Sequence, residues 1–343
     1  METATPSGNA AEEPIGEQMR AALIVERGGP DGRVIGDHPI PEAGPADVLV
    51  RVRACSLNHL DVFVRKGVAG GHLPLPHISG GDIAGEIARV GSDVSGVAAG
   101  DRVLIDPLVR GKALGEDMQG GLAEYAAVPA ANCIPLPDDV EYVTAAALPI
   151  AYGTARRQLI TRGRLQAGET VAILGAAGGL GTGAVMIAKA VGARVIACAS
   201  SQAKRDRLTE LGADIVIDSS AEDWGAQIWK ATGKQGVDLM VDNTGAATWQ
   251  SSIRATSPGG RVVTCGATSG YDVTQFQPYV WVRELDILGS NGWRREDLEA
   301  LLGMVRDGTL APVIDSTYPL EDIRAAEQRL EDRSVIGKVV ITL

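Results

Sequence analysis

The stretch Thr170-Val-Ala-Ile-Leu-Gly-Ala-Ala-Gly-Gly-Leu-Gly181 decides how the rest of the chain is read. Mostly apolar residues run into glycines at 175, 178, 179 and 181, and an alanine-rich segment, Thr182 to Val191, follows at helical period. A short apolar run of this kind fits a buried parallel strand, with a helix beginning where the glycines end. Glycine lets the backbone turn tightly and approach a ligand, while a helix N-terminus offers unpaired N–H groups and a positive dipole end. That combination suits a pyrophosphate. A tight turn with no ligand would use the same glycines, so the neighbouring chain has to decide. It supplies a second strand, Arg194-Val-Ile-Ala-Cys198, at the spacing of a dinucleotide-binding unit.

Outward from this unit, strands are expected at 170–175, 194–198, 214–217, 237–242, 261–265 and 285–289. Helices at 179–191, 202–211, 222–231 and 246–256 separate them, and Val143 to Ile160 is alanine-rich and helical. Such alternation implies a parallel sheet covered on both faces. Before Pro137 the text differs: Met19–Val25, Asp47–Arg53, Gly85–Val90 and Asp101–Ile105 read as short strands with loop residues between them, a mainly β domain. After Gly289 come a helix near Arg295–Asp307, a strand containing Pro, a helix at 320–332 and a last strand, Gly337–Thr342. A six-stranded dinucleotide sheet is complete without that last strand, which is therefore assigned to the first domain. The expected class is α/β, with a Rossmann domain over 143–289 and a mainly β domain built from 20–142 and 290–343. Residues 1–19 are polar and acidic and read as a disordered tail.

Composition narrows the function. The 343 residues carry a formal charge of −11, with 45% hydrophobic and 22% charged residues. That balance fits a soluble enzyme and disfavours a nucleic-acid or anionic-membrane surface, which needs a basic patch. Cysteines stand alone at 55, 133, 198 and 265, with no metal-ligand or redox spacing, and read as free thiols in a reducing cytoplasm. The N-terminus lacks a signal peptide's basic start and apolar core, and no apolar run is long enough to span a membrane.

The second strand of a dinucleotide fold selects between NAD and NADP. An acid at its end binds the ribose hydroxyls, whereas a 2′-phosphate needs hydroxyls and cations. Here the strand ends Cys198-Ala-Ser200-Ser201-Gln-Ala-Lys204-Arg205, with no carboxylate before Asp206. Ser200 and Ser201 can donate and Lys204 or Arg205 can neutralise a phosphate, so NADP(H) is expected. A serine capping the next helix is compatible with that role. Two later strand ends, Val241-Asp-Asn243-Thr-Gly245 and Val263-Thr-Cys-Gly266-Ala267, point into the same crevice. Their glycines could equally be turn residues, and Cys265 is expected to pack rather than react.

Further pieces carry a resemblance: Ser56-Leu-Asn-His-Leu-Asp61 with Arg65 and Gly67, Gly80-Gly-Asp82 with Gly85, and Gly100-Asp-Arg-Val103. They continue with Gly120-Gly-Leu-Ala-Glu-Tyr125, Ala147-Leu-Pro149 with Thr154, Pro258-Gly-Gly-Arg261, Gly289-Ser290 and Gly337-Lys338. In their order and spacing, from about residue 20 to the C-terminus, they resemble the medium-chain dehydrogenase/reductase superfamily, in its zinc-free quinone oxidoreductase (zeta-crystallin-like) branch. The resemblance implies a GroES-like substrate domain, a Rossmann cofactor domain and an active site between them. The positions that hold the catalytic zinc in alcohol-dehydrogenase members correspond to Asn58, Gly81 and Ile150, none a normal zinc ligand, and the segment 106–120 has no cysteine for a structural zinc. A compensating site from His59, Asp61 and Asp82 has no ligand spacing to support it, so no metal is expected.

Without a Lewis acid, hydride delivery to a quinone or an α,β-unsaturated carbonyl compound is favoured over alcohol oxidation. The resemblance places Asn58 at the nicotinamide, and His59 is a candidate proton donor. Gly178, Gly179 and Leu180 would hold pyrophosphate, Ser200, Ser201 and Lys204 the 2′-phosphate, and Thr154, Asn243, Gly266, Ala267, Ser290 and Asn291 the nicotinamide half. Asp61 and Arg65 are expected to form a structural ion pair. Where many members carry a tyrosine after Arg-x-Gly this chain has Ala69, and Tyr152 is a possible substitute acid or a packed aromatic. Val280 to Leu288 is the segment that would pair two subunits in a homodimer. Two alternatives stay open: an enoyl-thioester or 2-alkenal reductase of a biosynthetic pathway, and a non-catalytic NADPH-binding protein.

Overall fold

The computed structural model describes residues 15–343, so most of the N-terminal tail lies outside the described residues; the first strand opens at Gln18. The glycine-rich unit lies at the centre of a six-stranded parallel sheet. Its strands run in the spatial order Ile215–Asp218, Arg194–Ala199, Thr170–Ile173, Val237–Val241, Thr256–Thr264 and Asp286–Gly289. The register pairs Val171 with Val195 on one side and with Leu239 on the other. All three are fully buried, which is why these strands read as unbroken apolar runs. Strand order reverses between Thr170–Ile173 and Val237–Val241, and the crevice above that reversal is where an open α/β sheet binds its ligand.

Residues 18–135 form the expected β domain. A seven-stranded sheet is organised on the long strand Asp47–Leu57, flanked by Asp82–Val90 and Tyr125–Pro129. The C-terminal strand Lys338–Thr342 pairs antiparallel with Asp47–Leu57, Val340 facing Ser56, so the chain's end returns to its beginning. The two lobes share apolar packing: one core cluster joins Ala54, Ala84, Leu104 and Val340 to Val171, Val241 and Tyr152.

One expected element differs in form. The segment read as a single helix over 143–160 alternates α turns at Tyr142–Ala146 and Gly153–Arg156 with wide π turns at Leu148–Tyr152 and Arg157–Arg162. Pro149 has no N–H to donate, and the helix widens there rather than breaking. No helix among the described residues is long and apolar enough to cross a membrane. All four cysteines are free, three of them buried.

Candidate active site

The glycine turn is built for close approach. Gly175 takes φ +64°, a left-handed conformation that costs an ordinary residue strain, and a side chain on Gly181 would overlap the Gly175 carbonyl oxygen. Helix Gly179–Val191 starts at Gly178 with no side chain capping its first N–H groups, which stay available to an anion. The start of the C-terminal strand lies against this turn: Gly337 N–H donates to Ala177 O at 2.9 Å, and a Cβ on Gly179 would come within 2.6 Å of Lys338 Cδ. Gly179 therefore makes room for Lys338, whose side chain crosses from the phosphate turn into the first domain.

Lys338 ends at a buried hub. Asp82, fully buried, accepts from Ile150 N–H on Oδ1 at 2.8 Å and, on Oδ2, from Ser56 Oγ at 2.9 Å and Asn58 Nδ2 at 2.8 Å. Lys338 Nζ lies 3.1 Å from the same Oδ2 and donates to Asn58 Oδ1 at 2.6 Å. Both ends of the Asn58 amide are thus held, and its orientation is fixed by an ion pair that has almost no contact with water. Gly81, next to Asp82, would place a Cβ 3.0 Å from Ile150 Cδ1. The three positions that the resemblance aligned with zinc ligands do converge, around an aliphatic side chain and an amide already engaged.

Asn58 also starts helix His59–Lys66, its backbone N–H donating to Asp61 Oδ2 at 2.8 Å. The expected Asp61–Arg65 ion pair does not form. Asp61 serves the helix N-terminus, while Arg65 reaches Glu327 at 2.9 Å and Glu331 at 2.7 Å. Burial pushes the Asp61 carboxyl from 3.8 up to about 6, offset in part by the Asn58 N–H and the Arg33 charge. His59 lies at the surface of the same turn, where partial dehydration and the cations Arg333 and Lys338 hold its pKa below the ordinary imidazole value. Neutral imidazole therefore prevails near pH 7. Tyr152 is fully buried, its hydroxyl 3.3 Å from Thr182 Oγ1 and accepting from Val313 N–H at 2.9 Å. It packs, and it reaches no substrate.

At the end of the second Rossmann strand, Ser201 Oγ accepts from the Lys204 N–H at 3.4 Å and caps the helix, while the Ser200 side chain is exposed. Arg205 is spent on the Ala199 and Ser200 carbonyls and on Asp218 at 3.1 Å. Lys204 Nζ instead donates to the Arg333 carbonyl at 2.5 Å, and partial burial together with the Arg333 charge lowers its pKa. Arg333, from the segment before the last strand, thus holds the Lys204 ammonium through its main-chain carbonyl, with its charge near enough to be felt there.

At the other end of the crevice, Thr154 is buried and the Asn243 amide is held by Gln158, with Cys265 N–H donating to Asn243 Oδ1 at 2.8 Å. Asn243 ties two strand ends together rather than presenting a free amide. Gly266, Ala267, Ser290 and Asn291 line a cavity of about 570 Å³, and the buried Ser290 Oγ has no hydrogen-bond partner. Among the described residues no three His, Cys, Asp or Glu side chains gather closely enough to hold a metal ion.

Comparison with known proteins decides the family. The alcohol dehydrogenase GroES-like domain matches residues 44–138 and the zinc-binding dehydrogenase domain matches residues 179–307. The chain is 30% identical to the quinone oxidoreductase of Rattus norvegicus, over 95% of this chain and 98% of that one. The chain belongs to the medium-chain dehydrogenase/reductase superfamily. Within it the chain falls in the quinone oxidoreductase branch and is an oxidoreductase. It is also 31% identical to the crotonyl-CoA reductase of Streptomyces avermitilis, over 89% of this chain and 80% of that one. The crystal structure of an NAD-dependent alcohol dehydrogenase superposes with a TM-score of 0.91 at 40% identity, covering 95% of this chain and 100% of the other.

For this branch a nicotinamide dinucleotide is the implied cofactor, and the residues fit one: an uncapped helix N-terminus, and a hydroxyl and cation group at the second strand. The sequence pointed to these positions and missed the roles of three other residues. Asp82 and Lys338 were visible only as parts of motifs, and Arg333 carried no signal, since its place beside Lys204 depends on the return of the C-terminal strand.

Proposed function

We propose that this oxidoreductase is an NADPH-dependent reductase that works without a metal and passes hydride to a quinone or an α,β-unsaturated carbonyl compound. The observation that carries it is the group Ser200, Ser201 and Lys204, with the Arg333 charge close to Lys204, at a strand end with no acid to hold a ribose diol. The solved neighbour described as NAD-dependent leaves that local chemistry as the deciding argument for this chain. NADPH, when bound, supplies the hydride. The N–H groups at Gly179 and Leu180, behind Gly178, would hold its pyrophosphate, and Thr154, Gly266, Ala267, Ser290 and Asn291 would border the nicotinamide half, with Asn243 keeping that border rigid.

Metal independence rests on the donor set: zinc takes thiolate, imidazole or carboxylate, and Asn58, Gly81 and Ile150 provide none. The Asp82 carboxylate bonds both Asn58 and Ile150, and four donors including Lys338 occupy it. A conjugated acceptor spreads the charge that develops as hydride arrives, so one hydrogen-bond donor at its oxygen suffices. The second hydrogen on Asn58 Nδ2 makes no bond to a described residue and is the donor the geometry supports. Water supplies the proton that completes the reduction, because an imidazole that is neutral near pH 7, as His59 is, has no acidic proton to give. A homodimer is part of the proposal, supported by the exposed edge strand Asp286–Gly289.

The test is to follow NADPH absorbance with a panel of quinones, enones and aldehydes, with and without a chelator, and to compare NADH. Oxidation of NADPH by quinones or enones in the presence of chelator is the expected result. Silence across the panel sinks the reductase, activity abolished by chelator restores a metal, and equal use of NADH removes the role of Lys204 and Arg333. Reduction of an enoyl thioester is the second reading, favoured by the likeness to a crotonyl-CoA reductase.

A further inference from the structure

The cavity of about 570 Å³ holds a charge pattern that hydride transfer alone does not require. Arg157 and Arg162 both line it, and no acidic residue does. Among the described residues neither pairs with a carboxylate, in a chain whose formal charge is −11. The Arg157 Nε is shielded from solvent without a hydrogen-bond partner, and so is Ser290 Oγ in the same cavity. Leaving such groups unsatisfied is costly unless a ligand completes them.

The helix explains how two arginines five residues apart reach one space. At about 3.6 residues per turn an ordinary α-helix would splay residues five apart onto different faces. The π turn Arg157–Arg162 bonds i to i+5 and brings them over one another, and such turns recur at functional sites. Arg162 is then fixed by its Nε, which donates to Gly289 O at 2.7 Å, leaving its terminal N–H groups for something else. Trp249, Tyr271 and Val273 supply apolar wall.

Resting on the reductase reading, we infer that Arg157 and Arg162, with Ser290 Oγ, form an anion subsite, and that the acceptor is a conjugated carbonyl compound bearing a carboxylate or phosphate group. Because Gly266, Ala267, Ser290 and Asn291 line both this cavity and the nicotinamide border, an anion fixed there holds the acceptor beside the hydride donor. Guanidinium groups match either anion through paired N–H donors. The carboxylate would be the acceptor's own, and the phosphate that of a thioester's carrier.

Two matched pairs distinguish these sources: 4-oxopent-2-enoate against its methyl ester, and crotonyl-CoA against S-crotonyl-N-acetylcysteamine. In the wild type, kcat/KM favours the charged member of at least one pair by about ten- to hundredfold, the worth of a charge-assisted hydrogen bond. In Arg157→Gln that ratio falls towards one, and Arg162→Gln, which alters an exposed side chain, gives the same test if the first variant does not fold. A wild-type ratio near one for both pairs overturns the subsite, as does a ratio that survives both substitutions. Quenching of tryptophan fluorescence in the NADP-loaded protein, read with the same four compounds, judges the subsite separately. If no compound is reduced, the reductase reading fails, yet selective binding of the charged members that Arg157→Gln abolishes still supports the subsite, and equal binding of charged and neutral members overturns it.

Discussion

At the Asp82 hub, one carboxylate without water contact satisfies four donors, and only Lys338 among them carries a compensating charge. Removing that charge leaves a buried anion unpaired, a loss of about 3–5 kcal/mol. Lys338→Met is therefore expected to melt well below the wild type. Adding Asp82→Asn to it, which removes the orphaned charge while keeping an acceptor, recovers part of the loss; a double variant no more stable than the single would show that the ion pair does not matter. Asp61 gives a pH dependence. Its folded pKa of about 6 lies above the ordinary 3.8, so the folded state holds the proton more tightly than the unfolded chain does. Its favourable contribution is complete below about pH 4 and is lost as pH rises through 6. Asp61→Asn removes that dependence, on the order of 3 kcal/mol between the two limits, read as a flatter curve of melting temperature against pH from 4 to 7. Arg333 is judged by cofactor choice. Arg333→Gln raises KM for NADPH about tenfold while KM for NADH stays put, the expected cost of one charge-assisted contact to phosphate. An equal change for both cofactors would mean that Arg333 only supports the fold.

Elements with a strong local signal were legible from the chain alone. The helix Gly179–Val191 matches its expected span because glycine punctuates both ends, Gly178 before it and Gly192 at φ +87° after it. The six parallel strands were legible for a similar reason, each an apolar run bounded by polar or glycine turns. What lay hidden was every partnership between distant residues: Arg65 finds Glu331 266 positions away, and Lys338 finds Asp82 across 256. Period and spacing say which face is buried, and they are silent on which charge meets it. The expected Asp61–Arg65 pair failed for this reason: Asp61 accepts from Asn58 N–H at the start of its own helix, and Arg65 is taken by Glu327 and Glu331, far along the chain. The glycine turn allows a test that separates fold from ligand. Gly181→Ala forces a methyl group onto the Gly175 carbonyl oxygen and costs about 1–3 kcal/mol. Gly178→Ala meets its nearest atom, that same oxygen, at 3.7 Å and leaves stability almost unchanged, while its methyl group intrudes where pyrophosphate would approach. A raised Kd for NADPH with an unaltered melting temperature is the expected signature in Gly178→Ala.

For the whole molecule, the unresolved obligation is the free edge of the Rossmann sheet. Asp286–Gly289 pairs with Thr256–Thr264 on one side only, and its other side offers unpaired backbone groups. Around it Trp281 is 60% exposed, Val282 71% and Ile287 41%, a concentration of apolar surface that a lone soluble chain seldom leaves open. A second copy meeting this edge across a two-fold axis would extend the sheet and cover the patch at once, an isologous contact in which each copy presents the same surface. A negative charge at Ile287 or Trp281 would then face its own image. Ile287→Asp and Trp281→Asp are expected to shift sedimentation from dimer to monomer at micromolar concentration without loss of secondary structure. A wild-type chain that sediments only as a monomer at that concentration would refute the dimer, and so would variants that remain dimeric, because the partner would then have to sit on some other face.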